Sequence, residues 1–245
     1  MYKTIKNSLK ALIPKSFLFK NELFFRKFHG AFYLGKNHQC NTCDKQLKSF
    51  ITLENKDLLC PFCGSLSRNR RLWQLLNDND SINGNILHFS PSRSLYRNFK
   101  KEKSITYYSS DFEDEFLADY KFDITNIEQE NEKFDTIICY HILEHIIEDK
   151  KAMSELYRVL NPNGTIFIQT PFKEGDIYED FSIITPEDRE KHFGQNDHVR
   201  IYSVGGLKER LENIGFKVQI ENFDKHSDDL FVGFKSPETV LIAKK

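Results

Sequence analysis

Four cysteines, Cys40, Cys43, Cys60 and Cys63, fall as two C-x2-C pairs with 16 residues between the pairs. Each pair sets two sulfurs on one tight knuckle, and two knuckles can close a tetrahedron around Zn2+. Pro61 and Gly64 supply the turn chemistry. Four sulfur ligands leave no open position for water, so the metal expected here is structural. A redox pair or a disulfide pair is the competing chemistry. It suits a reducing compartment less well, and no apolar leader of the secretory kind precedes the pattern.

A second group of reactive side chains sits in Phe134 to Ile146, FDTIICYHILEHI. The run Thr136-Ile137-Ile138-Cys139 is short, apolar and β-branched, the pattern of a parallel strand covered on both faces. Polarity returns at Tyr140, so Tyr140, His141, Glu144 and His145 stand beyond the carboxyl end of that strand, where open α/β sheets collect ligands. Histidine suits proton transfer near neutral pH, and His141 and His198 are the candidate bases. His145 is read either as a helix cap beside Glu144 or as a contact to an acceptor. Ile184 to Tyr202, ITPEDREKHFGQNDHVRIY, adds Gln195, Arg200 and Tyr202 as candidate acceptor-binding residues.

These residues need a sheet to hold them. Strands are predicted at Asn85–Phe89, Ile105–Ser109, Tyr120–Ile124, Lys133–Cys139, Thr165–Gln169, Phe216–Ile220 and Thr239–Ala243, with helices at Arg93–Lys100 and Asp149–Leu160. A further helix is capped by Ser203 and stopped by Gly215. The alternation predicts a doubly wound, seven-stranded α/β sheet. About thirty irregular residues are expected after the fifth strand. In such a sheet a nucleotide-like ligand lies at the first strand-to-helix turn, around Phe89, Ser90 and Pro91, and an acid about 20 residues on takes its ribose hydroxyls. Asp111 lies 21 residues beyond Ser90.

The 245 residues suffice for one α/β core and a small extra module. The expected division is a basic aromatic arm at 1–36, a zinc-ribbon module with a basic helix at 37–80, and the α/β domain at 81–245. In the arm, Ile5, Leu9, Leu12 and Ile13 share a helical face that Pro14 ends. Charge is uneven: residues 1–75 hold 14 Lys and Arg against 4 Asp and Glu, a balance of +10, and the remainder balances at −11. A basic front end meets RNA or an anionic membrane surface, or is simply solvated. Arg68, Arg70 and Arg71 can grip phosphate or pair with neighbours. With no apolar run near the roughly 18 residues of a membrane span, a cytoplasmic protein is expected, with peripheral attachment to a membrane as an option.

The order NILHFSPSRSL, YYSSDF, KFDITNI, KFDTIICYHILEHI and MSELYRVLNPNGTIFIQTP resembles the class I S-adenosylmethionine-dependent methyltransferases, over roughly residues 85 to 245. Its most specific parts are HILEH and ELYRVLNPNG. The resemblance implies a Rossmann-like sheet with S-adenosylmethionine as cofactor. Phe89, Ser90 and Pro91 would line the methionine moiety, Asp111 would hold the ribose, Asp123 and Ile124 would border adenine, and Tyr140 with His141 would flank the sulfonium. One departure stands out: the family's first loop reads close to GxGxG, whereas His88-Phe89-Ser90-Pro91-Ser92 has no glycine.

Three functions follow. The first is O- or N-methylation of a small molecule or glycan precursor. The second is RNA methylation, with the ribbon and basic arm holding the nucleic acid. The third is a non-catalytic binding protein that keeps the fold. A nicotinamide dehydrogenase is disfavoured, since no GxGxxG occurs. Cys139, inside an apolar strand, is a poor nucleophile for attack on a ring carbon.

Overall fold

The computed structural model describes residues 15–224 and 230–245. The helical face expected at Ile5 to Ile13 lies outside them. The described residues form two compact units, 15–73 with 230–235, and 74–224 with 236–245. The division falls between Trp73 and Gln74, inside a helix.

The first unit begins with α1 (Lys15–Gly30), followed by β1 (Leu34–Cys40), β2 (Lys45–Leu47), β3 (Ile51–Thr52) and β4 (Leu58–Leu59). β1 pairs with β2 and β3 with β4, both antiparallel. The two cysteine pairs sit on matching turns. Asp44 N–H donates to the Cys40 carbonyl at 2.7 Å, and Gly64 N–H to the Cys60 carbonyl at 3.0 Å. Asp44 (φ 57°) and Gly64 (φ 79°) both adopt the left-handed region, which glycine enters without strain and Asp tolerates. The core of this unit is small: Cys40, Leu47, Phe50 and Cys60, with Leu58 and Phe62 packed on it. So few buried side chains rarely hold a fold unaided, so a metal is the natural staple.

α2 (Ser67–Asp78) opens with the three arginines. Arg68 is exposed, whereas Arg70 has no exposed surface. Arg70 donates to the Ser65 carbonyl at 2.7 Å and the Leu58 carbonyl at 2.9 Å, and lies 4.2 Å over the Phe50 ring. It therefore braces the second knuckle from inside the unit. Arg71 lies 4.4 Å over Phe234 and is also buried. Of the two readings of these arginines, contacts with neighbours suit the buried Arg70 and Arg71 better than a grip on phosphate.

The second unit holds a six-stranded sheet in the order β12-β13-β8-β7-β5-β6. Its strands are β5 (Gly84–Phe89), β6 (Ile105–Ser110), β7 (Phe134–Tyr140), β8 (Leu160–Gln169), β12 (Lys217–Phe223) and β13 (Glu238–Lys244). β5 to β8 run parallel, and β13 and β12 close the sheet antiparallel. Alternation sorts the side chains. Leu87, Ile137, Ile166 and Leu241 pack with Met153 and Leu156 of α4 (Asp149–Val159) and with Leu207 and Leu211 of α6 (Val204–Ile214). On the opposite face His88 meets Phe99 of α3 (Arg93–Phe99), ring centroids 5.6 Å apart. Helices thus cover both faces. As expected, the Ser203 hydroxyl caps α6, accepting from Gly206 N–H at 3.1 Å, and Gly215 (φ 122°) ends it.

Three expectations are corrected. The sheet has six strands, not seven, because Tyr120–Ile124 is not a strand. Only a single bridge joins Ser110 to Tyr120, and the Ser110 hydroxyl takes up the Phe122 N–H at 2.8 Å, replacing a ladder with side-chain bonds. The helix expected to reach Leu160 ends at Val159, and Asn161-Pro162-Asn163-Gly164 runs within β8, where the register against β7 shifts between Phe134 and Thr136. The segment after β8 is also not irregular. It forms β9 (Phe172–Lys173), β10 (Tyr178–Glu179), α5 (Pro186–Phe193) and β11 (Arg200–Ser203), with the strands joined in the order β10-β11-β9. Among the described residues no helix is long and apolar enough to cross a membrane.

His88 is a buried polar residue in an apolar sheet. Its Nδ1 lies 3.1 Å from the Tyr107 hydroxyl, and burial pushes its pKa down to about 3. The folded state therefore excludes a proton that the unfolded chain accepts near pH 6.5. This contribution is complete above about pH 6.5 and is lost as pH falls toward 3, on the order of 3 kcal/mol by pH 4. Urea titrations at pH 7 and pH 4 are expected to show a markedly smaller loss for His88→Leu than for the wild type. An equal loss in both would assign the acid sensitivity to other groups.

Candidate active site

The carboxyl ends of β5, β6, β7 and β8 lie side by side, and the chain leaves each of them at a polar residue. Ser90 follows β5 with φ 44°, and His141 follows β7 with φ 55°. Neither is glycine, so each holds a left-handed backbone at some cost, as residues at functional turns often do. Ser90 thereby adopts a backbone that the missing glycine would ordinarily supply. Its N–H donates to the Ser110 carbonyl and its hydroxyl to Asp111 Oδ1, both at 2.7 Å.

Asp111 is 4% exposed, and its other oxygen accepts from Glu115 N–H at 2.6 Å and Phe116 N–H at 3.0 Å. The carboxylate thus sits where a ribose-binding acid belongs but is largely satisfied by its own loop. Of its four lone-pair sites one remains, so a diol taking two bonds must displace the Ser90 hydroxyl or a loop amide. Asp123 is exposed and accepts from Thr125 N–H and Oγ1 at 2.8 Å, a local turn. Phe89 and Ile124 belong to the apolar core and Pro91 is buried, so at these positions the backbone, not an exposed side chain, is what borders the site. Tyr140 is half-buried at the end of β7.

The histidines gather as follows. His141 Nδ1 lies 3.2 Å from Glu144 Oε1. His145 Nδ1 lies 3.2 Å from Asp197 Oδ2, and its ring meets that of His198 edge-on, centroids 4.7 Å apart. Val199 N–H donates to the Glu144 carbonyl at 2.9 Å, fixing the inserted segment against the loop. Burial would raise the Glu144 carboxyl, but the His141 hydrogen bond and the charges nearby outweigh it and hold it below the usual carboxylate range. Burial first, and the neighbouring His145 second, hold His198 below an ordinary imidazole.

Arg200 and Tyr202 occupy different ground from the other predicted acceptor contacts. Both have no exposed surface. Arg200 donates to Glu179 Oε2 at 2.9 Å, to the Leu143 carbonyl at 3.2 Å, to the Ile147 carbonyl at 2.9 Å, and to the Ile146 carbonyl. Tyr202 donates to Asp149 Oδ2 at 2.5 Å, and Arg210 reaches both Asp149 and Glu179. In this conformation they hold the 141–147 loop rather than face a ligand. Gln195 is exposed. Sequence reading missed Glu179 and Arg210, whose partners lie 21 to 61 residues away. A cleft of about 480 Å3 lies at the opposite, amino-terminal ends of the strands, lined by Asn79, Asp135, Asn161 and Lys244. Its lining holds no imidazole or thiol, whereas the histidines gather at the carboxyl ends of the strands.

At the cysteines, Cys40 Sγ lies 3.7 Å from Cys63 Sγ, and Cys43 Sγ lies 3.8 Å from Cys60 Sγ. All four sulfurs fall within 4.8 Å of one another. A tetrahedron with Zn–S bonds of about 2.3 Å has edges of roughly 3.8 Å, so the donor set fits zinc. Hydrogen bonding among the sulfurs holds the Cys40 thiol well below its ordinary range and drives Cys43 well above it, a split that a shared cation removes.

Four parallel strands closed by two antiparallel ones, with helices on both faces, make a Rossmann-like sheet of the methyltransferase kind. The chain matches the methyltransferase domain family over residues 76–220 and belongs to it, which places it among the S-adenosylmethionine-dependent methyltransferases. It is 32% identical over 130 residues to a tRNA U34 carboxymethyltransferase of Nautilia profundicola, covering 53% of this chain and 39% of that protein. A tRNA U34 carboxymethyltransferase of Campylobacter hominis is 38% identical over 53 residues, 22% of this chain and 19% of its own length. The matched region therefore spans well under half of these relatives. Among solved structures, an S-adenosylmethionine-dependent methyltransferase of Archaeoglobus fulgidus (TM-score 0.50, 16% identity, 72% of this chain and 94% of that one) shares the fold. So does one from Mesorhizobium loti (TM-score 0.51, 13% identity, 71% and 97%).

Proposed function

We propose that this methyltransferase acts on RNA, with a tRNA as the acceptor to test first, and that its cysteine cluster holds a structural zinc. The observation that carries the acceptor is that both curated relatives named above are tRNA-modifying enzymes. The balance of +10 over residues 1–75 supports it, since phosphate contacts supply most of the affinity for nucleic acid. Such an acceptor places the work in the cytoplasm.

Bound S-adenosylmethionine supplies a methyl group already activated by positive sulfur, so the protein's task is largely positioning. The Ser90 turn would hold the methionine end, and Asp111 would hold the ribose, giving up its bond to Ser90 Oγ. Asp123 and Ile124 would border the base, and Tyr140 would flank the sulfonium. His141, held at Nδ1 by Glu144, keeps its other ring nitrogen for the acceptor's proton. His145 and Gln195 border the acceptor, and His198 stands behind His145. Arg200 and Tyr202 act through the loop they anchor.

A small-molecule or glycan acceptor is the second reading. The folded insertion between β8 and α6, pinned by buried Arg200 and Tyr202, favours it, because such an insertion can wall a confined site.

The test has two stages. Calorimetric titration with S-adenosylhomocysteine is expected to show binding that Asp111→Ala weakens at least about 10-fold, the loss of a charge-assisted bond. Labelled methyl from S-adenosylmethionine is then expected in a nuclease-sensitive fraction of a whole-cell extract, with RNA affinity falling steeply between 50 and 200 mM salt. Label confined to the nuclease-resistant, low-mass fraction would sink the RNA reading in favour of the small acceptor. Absence of cofactor binding would leave only the non-catalytic binding protein.

A further inference from the structure

We propose that Glu144, His145 and His198 form a second metal centre, taking a divalent first-row transition cation at the carboxyl edge of the sheet. One ligand atom from each of the three lies within 4.8 Å of the others. Around a cation bound at about 2.1 Å, ligand atoms stand roughly 3.0 to 4.2 Å apart, so small side-chain rotations close the set.

Three independent features prepare these groups for a cation. Glu144 is 1% exposed, and while its Oε1 meets His141, its Oε2 is buried with no hydrogen-bond partner among the described residues. A buried carboxylate oxygen without a donor is costly, and a metal ion is a natural complement to it. His198 Nδ1 lies 3.3 Å from the Phe193 carbonyl. A carbonyl only accepts, so Nδ1 carries the proton and Nε2 carries the lone pair. His145 Nδ1 is engaged in the same way by the Asp197 carboxylate at 3.2 Å. Imidazoles oriented at one nitrogen by a carboxylate or a carbonyl, with the other nitrogen free, are the usual form of metal-bound histidine.

The donor set indicates which ion. Two imidazoles and one carboxylate suit Mn2+, Fe2+, Co2+ or Zn2+, whereas Mg2+ and Ca2+ favour oxygen throughout. Three protein ligands leave open positions, unlike the closed four-sulfur site. The site joins the 141–147 loop, which carries His141, to the insertion that carries His198, so an acceptor hydroxyl would find an open position there. Resting on the proposed methyl transfer, the acceptor oxygen gives its proton to His141 and bonds the methyl carbon. The carbon–sulfur bond breaks with its electron pair returning to sulfur, leaving a neutral thioether.

Mn2+ is the probe, because soft thiolates at the cysteine cluster hold zinc in preference to it. Zinc-loaded protein is titrated with Mn2+ and followed by electron paramagnetic resonance. One Mn2+ per chain is expected, with hyperfine coupling to imidazole nitrogen in the wild type and affinity at least 10-fold weaker in His145→Asn and His198→Asn. The nitrogen coupling needs no variant, so it decides the matter even if a variant fails to fold. No bound Mn2+, or bound Mn2+ without nitrogen coupling, overturns the proposal, as does affinity unchanged in folded variants. Mn2+ bound with nitrogen coupling in a protein that methylates no RNA keeps the metal centre and removes only the RNA reading.

Discussion

Replacing Cys60 by serine is expected to release the zinc proposed for the cysteine cluster and unfold the residues around the two knuckles. Cys60 has no exposed surface, its sulfur lies 3.8 Å from that of Cys43, and the apolar core it belongs to is too small to stand alone. A four-thiolate zinc contributes on the order of 10 kcal/mol of apparent folding free energy at neutral pH, far more than such a core supplies. Metal analysis should fall from one zinc per chain toward none, and limited proteolysis should open new cuts between residues 34 and 66. Cys139→Ala is the control, since that thiol is buried in β7 and is not one of the four clustered sulfurs. A Cys60→Ser protein that retained its zinc and its proteolytic pattern would show that the sulfurs gather for another reason.

The second large effect is expected at Arg200. Removing its guanidinium takes the side-chain donor from the carbonyls of Ile146 and Ile147, leaves the Leu143 carbonyl with the Ile146 N–H at 3.2 Å, and takes one of two cations from Glu179. Arg200 is buried but Glu179 is partly exposed and keeps Arg210, so the cost falls between the less than about 1 kcal/mol of an exposed pair and the about 3–5 kcal/mol of a fully buried one. Arg200→Lys is expected to recover little, because an ammonium cannot serve three carbonyls and a carboxylate in one plane. Urea unfolding gives the stability change. At a temperature where the variant is still folded, binding of S-adenosylhomocysteine should persist while methyl transfer falls at least about 100-fold, since the loop bearing His141 has lost its anchor. Unimpaired turnover in the folded variant would mean that the loop keeps its shape by other means.

What could be read from the sequence, and what could not, divides along physical lines. The cysteine pairs were legible because metal ligation imposes fixed spacing, and Ile137 and Ile138 were legible because a strand covered on both faces must be apolar throughout. Tyr120 to Ile124 has the aromatic and β-branched composition of a strand, yet serine hydroxyls at 109 and 110 bind its neighbours and no ladder forms. Residue type alone cannot reveal that competition. Arg200 and Tyr202 stood out as polar residues near a site, but their burial depends on Glu179, Asp149 and Arg210, whose meeting only the fold determines. At Ser90 the absence of glycine was plain, whereas the left-handed turn that serine makes there, and its bond to Asp111, became visible only in three dimensions.

The anchoring of the 141–147 loop also bears on the order in which the protein matures. Arg200 reaches back 53 residues to Ile147, and Arg210 reaches back 61 to Asp149. During synthesis β5, β6 and β7 leave the ribosome well before either arginine. Contacts of such long sequence separation form late, because the loop-closure entropy comes due before they return any stabilisation. A growing chain that has reached residue 180 has four parallel strands and no fastening for the loop that carries its histidines. Docking of the insertion, together with the closing strands β12 and β13 that are made after it, therefore sets the moment at which a newly made molecule becomes competent.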